Sequence, residues 1–264
     1  MMKMDFEEFR EKIYMEASHC KGRVGLIIEA EDKCIEINSG VQFSSASLIK
    51  VPIMIECFRQ SEKGTLNLQH PVRIASVEKV GGAGVLQALS RDLNLKVIDL
   101  MTLMIIVSDN LATNLLIDLL GMDKINQSMK ELGLQNTQLN RKMMDFAALE
   151  KGQDNYTTAY DMLTCLKAMD QNYMLTKESA RQAKEIMEKQ QFKNKLSDAI
   201  DLDTFRVANK TGELFGIEHD CAIIQSENKR VYAAVLIDRL TVPKDGRQTL
   251  SSIGQLISQY LSFW

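Results

Sequence analysis

The hydrophobic pattern at the N-terminus predicts one helix followed by two strands. Phe6, Phe9 and Ile13 recur at the three- and four-residue intervals of an amphipathic helix. The segments RVGLIIEA (23–30) and CIEINS (34–39) are short apolar runs that are rich in β-branched residues. A polar EDK stretch separates them, and this arrangement is typical of a β-hairpin.

The middle of the chain has the pattern of helices. The run SLIKVPIMIECFRQSEKG (47–64) predicts a helix that ends at Gly64, because glycine commonly follows the last helical turn. Residues 65–190 are nearly all helical in pattern, except that residues 140–158 lack periodicity. We expect residues 140–158 to form a long loop, and loops of that length usually carry a function or are disordered.

The C-terminal part of the chain returns to strands and closes with a helix. TFRVANKTG (204–212), HDCAIIQS (219–226) and RVYAAVLID (230–238) are strand-like, and TLSSIGQLISQYLSFW (249–264) is amphipathic at helical spacing. The strands at both ends of the chain therefore predict one antiparallel five-stranded sheet, flanked by the N- and C-terminal helices.

This order of elements indicates the α+β class. We expect residues 1–64 and 191–264 to form the sheet subdomain and residues 65–190 to form an inserted all-helical subdomain. An active-site cleft is expected between the two.

Composition and charge exclude several classes of function. The 264 residues are 45% hydrophobic and 25% charged, which is ordinary for a globular protein. The formal net charge of -3 gives no electrostatic footprint for nucleic acid, and no apolar run is long enough to span a membrane. Because motifs for metals, nucleotides and dinucleotides are absent, we expect no metal and no cofactor. The oligomeric state stays open, with a monomer favoured.

The N-terminus and the cysteines indicate the compartment. The first residues carry neither the apolar region nor the cleavage site of a secretory signal, so we expect a cytoplasmic protein. The five cysteines are an odd number without metal-ligand spacing, which fits reduced thiols in a reducing compartment.

A serine and a lysine stand three residues apart at the start of the helix predicted for residues 47–64. Ser47 and Lys50 would lie on the same face of that helix, with the amine within reach of the hydroxyl. The positive end of a helix also suits a developing oxyanion. The S-x-x-K pattern alone is uninformative, because this chain also matches it at Ser18, Ser76 and Ser226.

Two further motifs accompany Ser47 and Lys50 along the chain. SDN occurs once, at residues 108–110, in a break between helical stretches, and KTG occurs once, at residues 210–212, at the end of a strand-like run. S-x-x-K, S-D-N and K-T-G in this order are the marks of class A β-lactamases and penicillin-binding proteins. The chain therefore resembles a class A β-lactamase-type serine hydrolase over most of its length. The segments that are similar to the family include FSSASLIKVPI (43–53), GGAGVLQAL (81–89), MIIVSDNLATNLLIDLLG (104–121) and NYTTAYDM (155–162).

The resemblance implies the roles of the reacting groups. Ser47 is the expected acylated nucleophile and Lys50 its base, provided that the lysine pKa falls from its unperturbed value of about 10.4. Lys210 would supply the nearby positive charge that lowers this pKa. Ser108 would pass a proton to the leaving nitrogen of a β-lactam, and Asn110 would hold the side-chain amide of the substrate.

The resemblance also implies how the substrate is bound. Lys210 and Thr211 are expected to bind a substrate carboxylate, and Gly212 to let the strand approach the substrate closely. The backbone N–H groups of Ser47 and Glu213 would form the oxyanion hole. The expected ligand is a small β-lactam, amide or ester.

Two residues near these motifs have alternative interpretations. Asp109 is expected to cap the following helix or to bind loop backbone. His219 follows KTG closely, where a cationic side chain in the family often helps to hold the substrate carboxylate. His219 is therefore a candidate for that role, and the alternative is a partly exposed histidine at a strand end.

The long loop departs from the family pattern. Class A enzymes carry a glutamate there, within E-x-x-L-N, that activates the water for deacylation, whereas counting from Arg141 places Met143 at that position. Asp145 and Glu150 are the nearest acids, so Asp145 is a candidate for the missing base, with a cap or salt bridge as the alternative. Arg141 is expected to pair with Asp154 across the neck of the loop.

Glu213 is a second departure, because small or hydroxyl side chains are usual after KTG in the family. Its carboxylate would disfavour an anionic substrate group by like-charge repulsion. Three functions therefore stay open: a class A-like β-lactamase that acts through an acyl-serine on Ser47, a serine amidase, peptidase or esterase on the same scaffold, and a penicillin-binding module that deacylates slowly.

Overall fold

The structure, a computed structural model, describes residues 4–74, 80–90, 92–171, 174–226 and 229–263. The chain runs from an N-terminal helix through a hairpin into a mostly helical middle, and returns to strands before a long C-terminal helix. In chain order the elements are α1 (Phe6–His19), β1 (Arg23–Ala30), β2 (Lys33–Ile37), β3 (Phe43–Ser44), a 3-10 turn (Ala46–Ile49), α2 (Lys50–Glu62), β4 (Pro71–Arg73), β5 (Asn94–Lys96), α3 (Val97–Ile106), α4 (Asn110–Leu120), α5 (Met122–Glu131), α6 (Phe146–Glu150), β6 (Tyr156–Thr157), α7 (Ala159–Ala168), α8 (Lys177–Glu188), β7 (Arg206–Leu214), β8 (Ile217–Gln225), β9 (Arg230–Asp238) and α9 (Pro243–Phe263).

The main sheet has the predicted composition. Its five strands within the described ranges follow the order β2-β1-β9-β8-β7, and each pair of neighbours is antiparallel. The N-terminal hairpin thus lies beside the last strand of the chain, and β7 forms one edge. The α+β fold with an antiparallel five-stranded sheet is confirmed.

Each face of the sheet packs against a different group of helices. Since successive side chains of a strand alternate between faces, Leu26 and Ile28 contact the terminal helices, whereas Ile27 belongs to the core of the helical middle. On the terminal side, the rings of Phe9 in α1 and Tyr260 in α9 stack at 4.5 Å. The two terminal helices therefore cover one face of the sheet, as the sequence predicted.

The helix α2 is the centre of the helical side. Residues from Lys50 to Phe58 are buried on every side of it, including the apolar Val51, Ile53 and Ile55. A helix that is apolar all round lies inside a core. It ends where predicted, and Gly64 follows it with a φ of 72°. This burial fixes the start of α2, and with it the segment that carries Ser47.

The helical middle also contains short strands that the sequence did not reveal. β4 pairs with β5, and β6 pairs with β3 through Phe43↔Thr157 and Ser44↔Tyr156. The expectation of a long loop over residues 140–158 was therefore only partly right, because α6 and β6 lie within it. Elements of two to five residues are too short to produce a hydrophobic period. The β3–β6 pair ties this loop to the chain just before Ser47.

The described ranges hold no helix that is both long enough and apolar enough to cross a membrane. They also hold no group of three or more histidine, cysteine or acidic side chains that could bind a metal ion. The five cysteines are free thiols, and Cys57, Cys165 and Cys221 are buried.

Candidate active site

Ser47 lies in the 3-10 turn that leads into α2, three residues before the first residue of that helix. The turn begins at Ala46, whose φ of 45° is unusual for a residue with a side chain. The turn packs closely on β7, because a side chain on Gly212 would come within 3.3 Å of the Ala46 Cβ atom. Gly212 therefore favours the close approach of the serine-bearing turn to the strand. Ser47 itself is half-buried.

The amine of Lys50 lies at the centre of a cluster of polar groups. Its Nζ atom is 3.0 Å from Ser47 Oγ, 3.0 Å from Ser108 Oγ, 2.8 Å from the backbone oxygen of Ser108 and 2.8 Å from Asn110 Oδ1. A neutral amine has two N–H donors and one lone pair. The carbonyl of Ser108 and the amide oxygen of Asn110 can take the two donors, which leaves the lone pair for the hydroxyl proton of Ser47.

The surroundings of Lys50 favour this neutral amine. Its side chain is fully buried, and burial lowers the pKa of Lys50 well below its ordinary value. The positive charge of Lys210 lowers the pKa further, and Asp109 opposes the shift. None of the hydrogen-bond partners of Lys50 in the described part of the chain is a carboxylate. The cluster therefore has the composition of a base beside a hydroxyl.

Ser108 lies between two lysine amines. Its Oγ atom is 3.0 Å from Lys50 Nζ and 3.1 Å from Lys210 Nζ. Ser108 has a φ of 54° in the break between α3 and α4, and this backbone directs the hydroxyl into the cluster. The pKa of Lys210 is lowered to about 7, chiefly by burial and also by the charge of Lys195, whereas Cys221 and Asp220 oppose the shift. The hydroxyl of Ser108 thus connects two buried amines, and burial lowers the pKa of each.

Asp109 holds the SDN segment in place. Its carboxylate accepts hydrogen bonds from the backbone N–H of Ala112 in α4 and from the N–H groups of Val85 and Leu86, at 2.7 to 3.0 Å. The predicted cap is therefore present, and the same side chain also binds a second segment. Gly84, at a φ of 118°, leaves the room, because a Cβ atom there would lie 2.4 Å from the Asp109 carboxylate. This contact explains the last glycine of the GGAG stretch.

Two cavities meet at Ser47 and form a cleft. One, of about 460 Å³, is called here the charged side. The other, of about 320 Å³, is called the apolar side. The charged side is lined by Ser47, Ser108, Lys195, Thr211, Glu213 and Arg247. The apolar side is lined chiefly by Met143, Met144, Phe146, Leu149 and Leu214, together with Asn110.

The edge strand β7 borders this cleft with its backbone. Leu214 pairs with Ile217 across a two-residue turn, so these two residues form a hydrogen-bonded pair. Along an antiparallel hairpin, hydrogen-bonded pairs alternate with pairs that form no hydrogen bonds to each other. The next pair, Glu213 opposite Glu218, is therefore of the second kind. The N–H of Glu213 therefore points away from β8, toward the free edge of the sheet that carries the cleft.

Comparison with known proteins agrees with this geometry. A model of the beta-lactamase enzyme family matches residues 7–261. The chain belongs to the beta-lactamase enzyme family. By family and fold it is a β-lactamase-like serine hydrolase.

Several solved structures of this family are similar to the chain. A β-lactamase from Sphaerobacter thermophilus DSM 20745 has 29% sequence identity and a TM-score of 0.89, with 96% of each chain covered. PBP-A has 24% identity and a TM-score of 0.87, with 99% of this chain and 98% of that chain covered. A PBP-A variant solved as an acyl-enzyme complex with penicillin G has 24% identity and a TM-score of 0.86, with 99% of each covered. At this identity the likeness to PBP-A concerns the fold alone. No curated protein matches the chain.

The loop that closes the apolar side differs from the family pattern, as the sequence indicated. Met143 lines the cleft at the position counted for the family glutamate. Arg141 pairs with Asp154 as predicted, through two hydrogen bonds of 3.0 and 2.7 Å. Asp145 does not line the cleft, because its carboxylate caps α6 by accepting a hydrogen bond from the N–H of Ala148 at 3.0 Å. The structure therefore does not support Asp145 as the missing base.

His219 does not bear out the role suggested for it. Its ring is fully buried, Nε2 lies 2.9 Å from the backbone oxygen of Ser44, and Nδ1 accepts a hydrogen bond from the N–H of Ile237. Burial lowers the pKa of His219 to about 4, although its backbone contacts oppose the shift. The ring is neutral, has no nitrogen left for a carboxylate and braces the strand β3 against β8.

The candidates for substrate binding are distributed around the cleft. Thr211 lines the charged side, and the Lys210 amine behind it donates to the Thr211 backbone oxygen at 2.7 Å. Asn110 lines the apolar side, and its amide donates to the backbone oxygen of Gly81 at 3.1 Å while it accepts from Lys50. In this structure Asn110 therefore orients the lysine amine.

A set of charged residues behind β7 was not predicted from the sequence. Lys195 pairs with Glu218 at 2.6 Å, and Arg247 of α9 pairs with the other oxygen of Glu218 at 2.8 Å. Both cations lie 3.8 Å from the carboxylate of Glu213. These residues come from four separate segments, so no local motif marks them.

Proposed function

We propose that the protein is a serine hydrolase that opens the amide of β-lactams and related acyl compounds through an acyl-serine intermediate on Ser47. The observation that carries this proposal is the 3.0 Å contact between Ser47 Oγ and the buried amine of Lys50. An unassisted hydroxyl is a weak nucleophile, and a base within hydrogen-bond reach is what it needs.

Acylation would proceed in two stages. The Lys50 amine takes the hydroxyl proton as Ser47 Oγ attacks the carbonyl carbon, and the N–H groups of Ser47 and Glu213 bind the resulting oxyanion. The C–N bond then breaks. The proton reaches the leaving nitrogen through the hydroxyl of Ser108, which regenerates the amine and leaves an ester on Ser47. Lys210 and Thr211 bind a carboxylate of the substrate on the charged side.

Deacylation is the step in which this chain departs from a class A β-lactamase. Among the described lining residues of the apolar side, the carboxylates are Asp154 and Glu213. Asp154 is paired with Arg141, and the side chain of Glu213 is 60% exposed on the opposite wall. Met143 occupies the position at which class A enzymes carry the glutamate, so no general base is present there to activate water. We therefore infer that the acyl-enzyme hydrolyses slowly, which favours the slowly deacylating module over an efficient β-lactamase.

An amidase or esterase is the second candidate, and the apolar side of the cleft favours it. Met143, Met144 and Phe146 offer a wall that suits an apolar acyl group. The same Ser47 chemistry serves an open-chain ester or amide, and such a substrate needs no carboxylate on the charged side.

Intact-mass spectrometry after mixing with penicillin G tests the proposal. We expect an adduct of one penicillin mass on the native chain within minutes, persisting for much longer than it takes to form, and none on the Ser47→Ala variant. Product that accumulates without a visible adduct would favour an efficient β-lactamase. Absence of an adduct and of product, together with cleavage of a neutral apolar ester by the native chain alone, would favour the second candidate. Equal reaction of the Ser47→Ala variant would refute the assigned nucleophile.

A further inference from the structure

A buried lysine holds a backbone carbonyl of the strand that borders the cleft. Lys195 Nζ donates a hydrogen bond of 2.7 Å to the backbone oxygen of Gly212, and it lies 3.4 Å from the backbone oxygen of His219. The side chain of Lys195 is 1% exposed. A fully buried ammonium is rare unless it is paired, so its partners indicate why it is there.

The negative charge of Glu218 does not by itself explain why Lys195 is buried here. Arg247 already binds Oε1 of Glu218 at 2.8 Å, while Lys195 binds Oε2 at 2.6 Å. Glu218 would thus keep one cationic partner without Lys195. The carbonyl of Gly212 is different. Within the described ranges, the side chain that donates a hydrogen bond to it is that of Lys195, whereas Arg247 donates to Glu218.

The carbonyl of Gly212 and the N–H of Glu213 belong to one peptide unit. A peptide unit is planar and trans, so its C=O and N–H groups point in opposite directions. The strand register directs the carbonyl toward β8 and the N–H toward the cleft. An ammonium on the carbonyl therefore fixes the plane of the unit, and it polarises the N–H, because linked hydrogen bonds strengthen one another by roughly 10–30%.

We propose that Lys195 is a positioning residue for the oxyanion hole, and that it orients and polarises the Gly212–Glu213 peptide unit so that the Glu213 N–H binds the oxyanion on acylated Ser47. This inference rests on the proposed acylation of Ser47. Lys195 does not touch the reacting atoms in this mechanism. It acts through the backbone of β7.

The test measures the hydrogen bond to the acyl carbonyl directly. Penicillin G labelled with ¹³C at the β-lactam carbonyl is mixed with native protein and with Lys195→Met, and the acyl C=O stretch is recorded by isotope-edited infrared difference spectroscopy. We expect a higher wavenumber in Lys195→Met than in the native chain. We also expect acylation to slow about tenfold, less than the 10²–10³-fold typical when an oxyanion donor is removed altogether.

A matched control separates the effect of losing the hydrogen bond from Lys195 to Gly212 from the effect of losing a positive charge. Arg247→Met removes a cation from the same Glu218 carboxylate but leaves the Lys195–Gly212 bond, so its acyl C=O stretch should equal that of the native chain. A change in rate alone is not decisive, because both variants weaken attraction for an anionic substrate. The stretch reports only the hydrogen bonds at the acyl carbonyl.

The outcomes distinguish this inference from the proposed function. A folded Lys195→Met protein that is acylated with an unshifted stretch would overturn the positioning role and leave the acylation of Ser47 intact. Absence of both an adduct and product on the native chain, with penicillin G and with a neutral ester alike, would overturn both. If Lys195→Met does not fold, the Lys195→Met/Glu218→Gln pair removes the remaining buried charge, and the same shift is expected relative to Glu218→Gln alone.

Discussion

The side-chain amide of Asn114 forms two hydrogen bonds with the backbone of Met143. Its Nδ2 donates to the Met143 oxygen at 3.1 Å, and its Oδ1 accepts from the Met143 N–H at 2.8 Å. Asn114 lies on α4 and is itself buried, so one turn of a packed helix fixes the loop at residue 143. A side chain at this position is therefore held against the cleft that contains Ser47.

This contact predicts the effect of restoring a carboxylate. Met143→Glu should shorten the lifetime of the penicilloyl adduct by about 10²-fold or more, because general-base catalysis typically contributes 10²–10⁴-fold. The decay of the adduct, followed by intact-mass spectrometry after removal of free penicillin, measures this. Met143→Gln is the matched control, since it has nearly the same shape and polarity but cannot accept the proton. Equal decay in the two variants would show that position 143 does not reach the attacking water.

Lys50→Arg tests whether Lys50 acts as the base. Arginine stays protonated in proteins, so it keeps hydrogen-bond donors at this position but cannot take the proton of Ser47. We expect the rate of adduct formation with penicillin G to fall by about 10²–10⁴-fold, and a thermal melt verifies that the variant is folded. Acylation at nearly the native rate would mean that another group activates Ser47.

The sequence predicted the polar cluster well because its members belong to short motifs. Ser47 and Lys50 are one helical turn apart, and SDN and KTG each fix their spacing within three residues. Tertiary contacts such as the bond from Lys195 to Gly212 have no such local signature, because the two residues are 17 apart along the chain and meet only when the loop packs on β7.

The two candidates that the structure does not support failed for physical reasons. The Asp145 carboxylate binds the N–H of Ala148 because the first N–H groups of a helix need an acceptor, and α6 was too short to be recognised. His219 lies on the face of β8 that packs on the serine-bearing turn. Its ring is fully buried there against the backbone oxygen of Ser44 in β3. This contact joins two distant segments of the chain, so the sequence does not reveal it.

Titration of Lys210 predicts a pH dependence for anionic substrates. Because burial lowers the pKa of Lys210 to about 7, the amine is protonated below that pH and neutral above it. The second-order rate of acylation by penicillin should therefore fall as the pH rises through about 7, since the attraction for the substrate carboxylate is lost. Lys50 acts in the opposite sense, because it must be deprotonated to serve as a base.

A neutral ester is the control for this pH profile. It lacks the carboxylate, so stopped-flow acylation by an ester should not show the fall near pH 7. If the rates of acylation by penicillin and by the ester fall together as the pH rises, the titrating group acts on the chemistry of Ser47 and not on binding of the anion.

Glu213 is predicted to weaken the response to anionic substrates. Its exposed carboxylate lies 3.8 Å from both Lys195 and Arg247, so it offsets positive charge on the wall where a substrate carboxylate would bind. Two unit charges about 4 Å apart interact by about 1 kcal/mol in water, which corresponds to about a fivefold change in rate. Glu213→Gln should therefore speed acylation by penicillin about fivefold, and less at high salt because the charges are screened. Glu213→Asp keeps the charge and the backbone N–H, so it should behave as the native chain. Two results would show that this carboxylate does not select against anions. One is that Glu213→Gln is acylated by penicillin no faster than the native chain, and the other is that its acylation by a neutral ester speeds up equally.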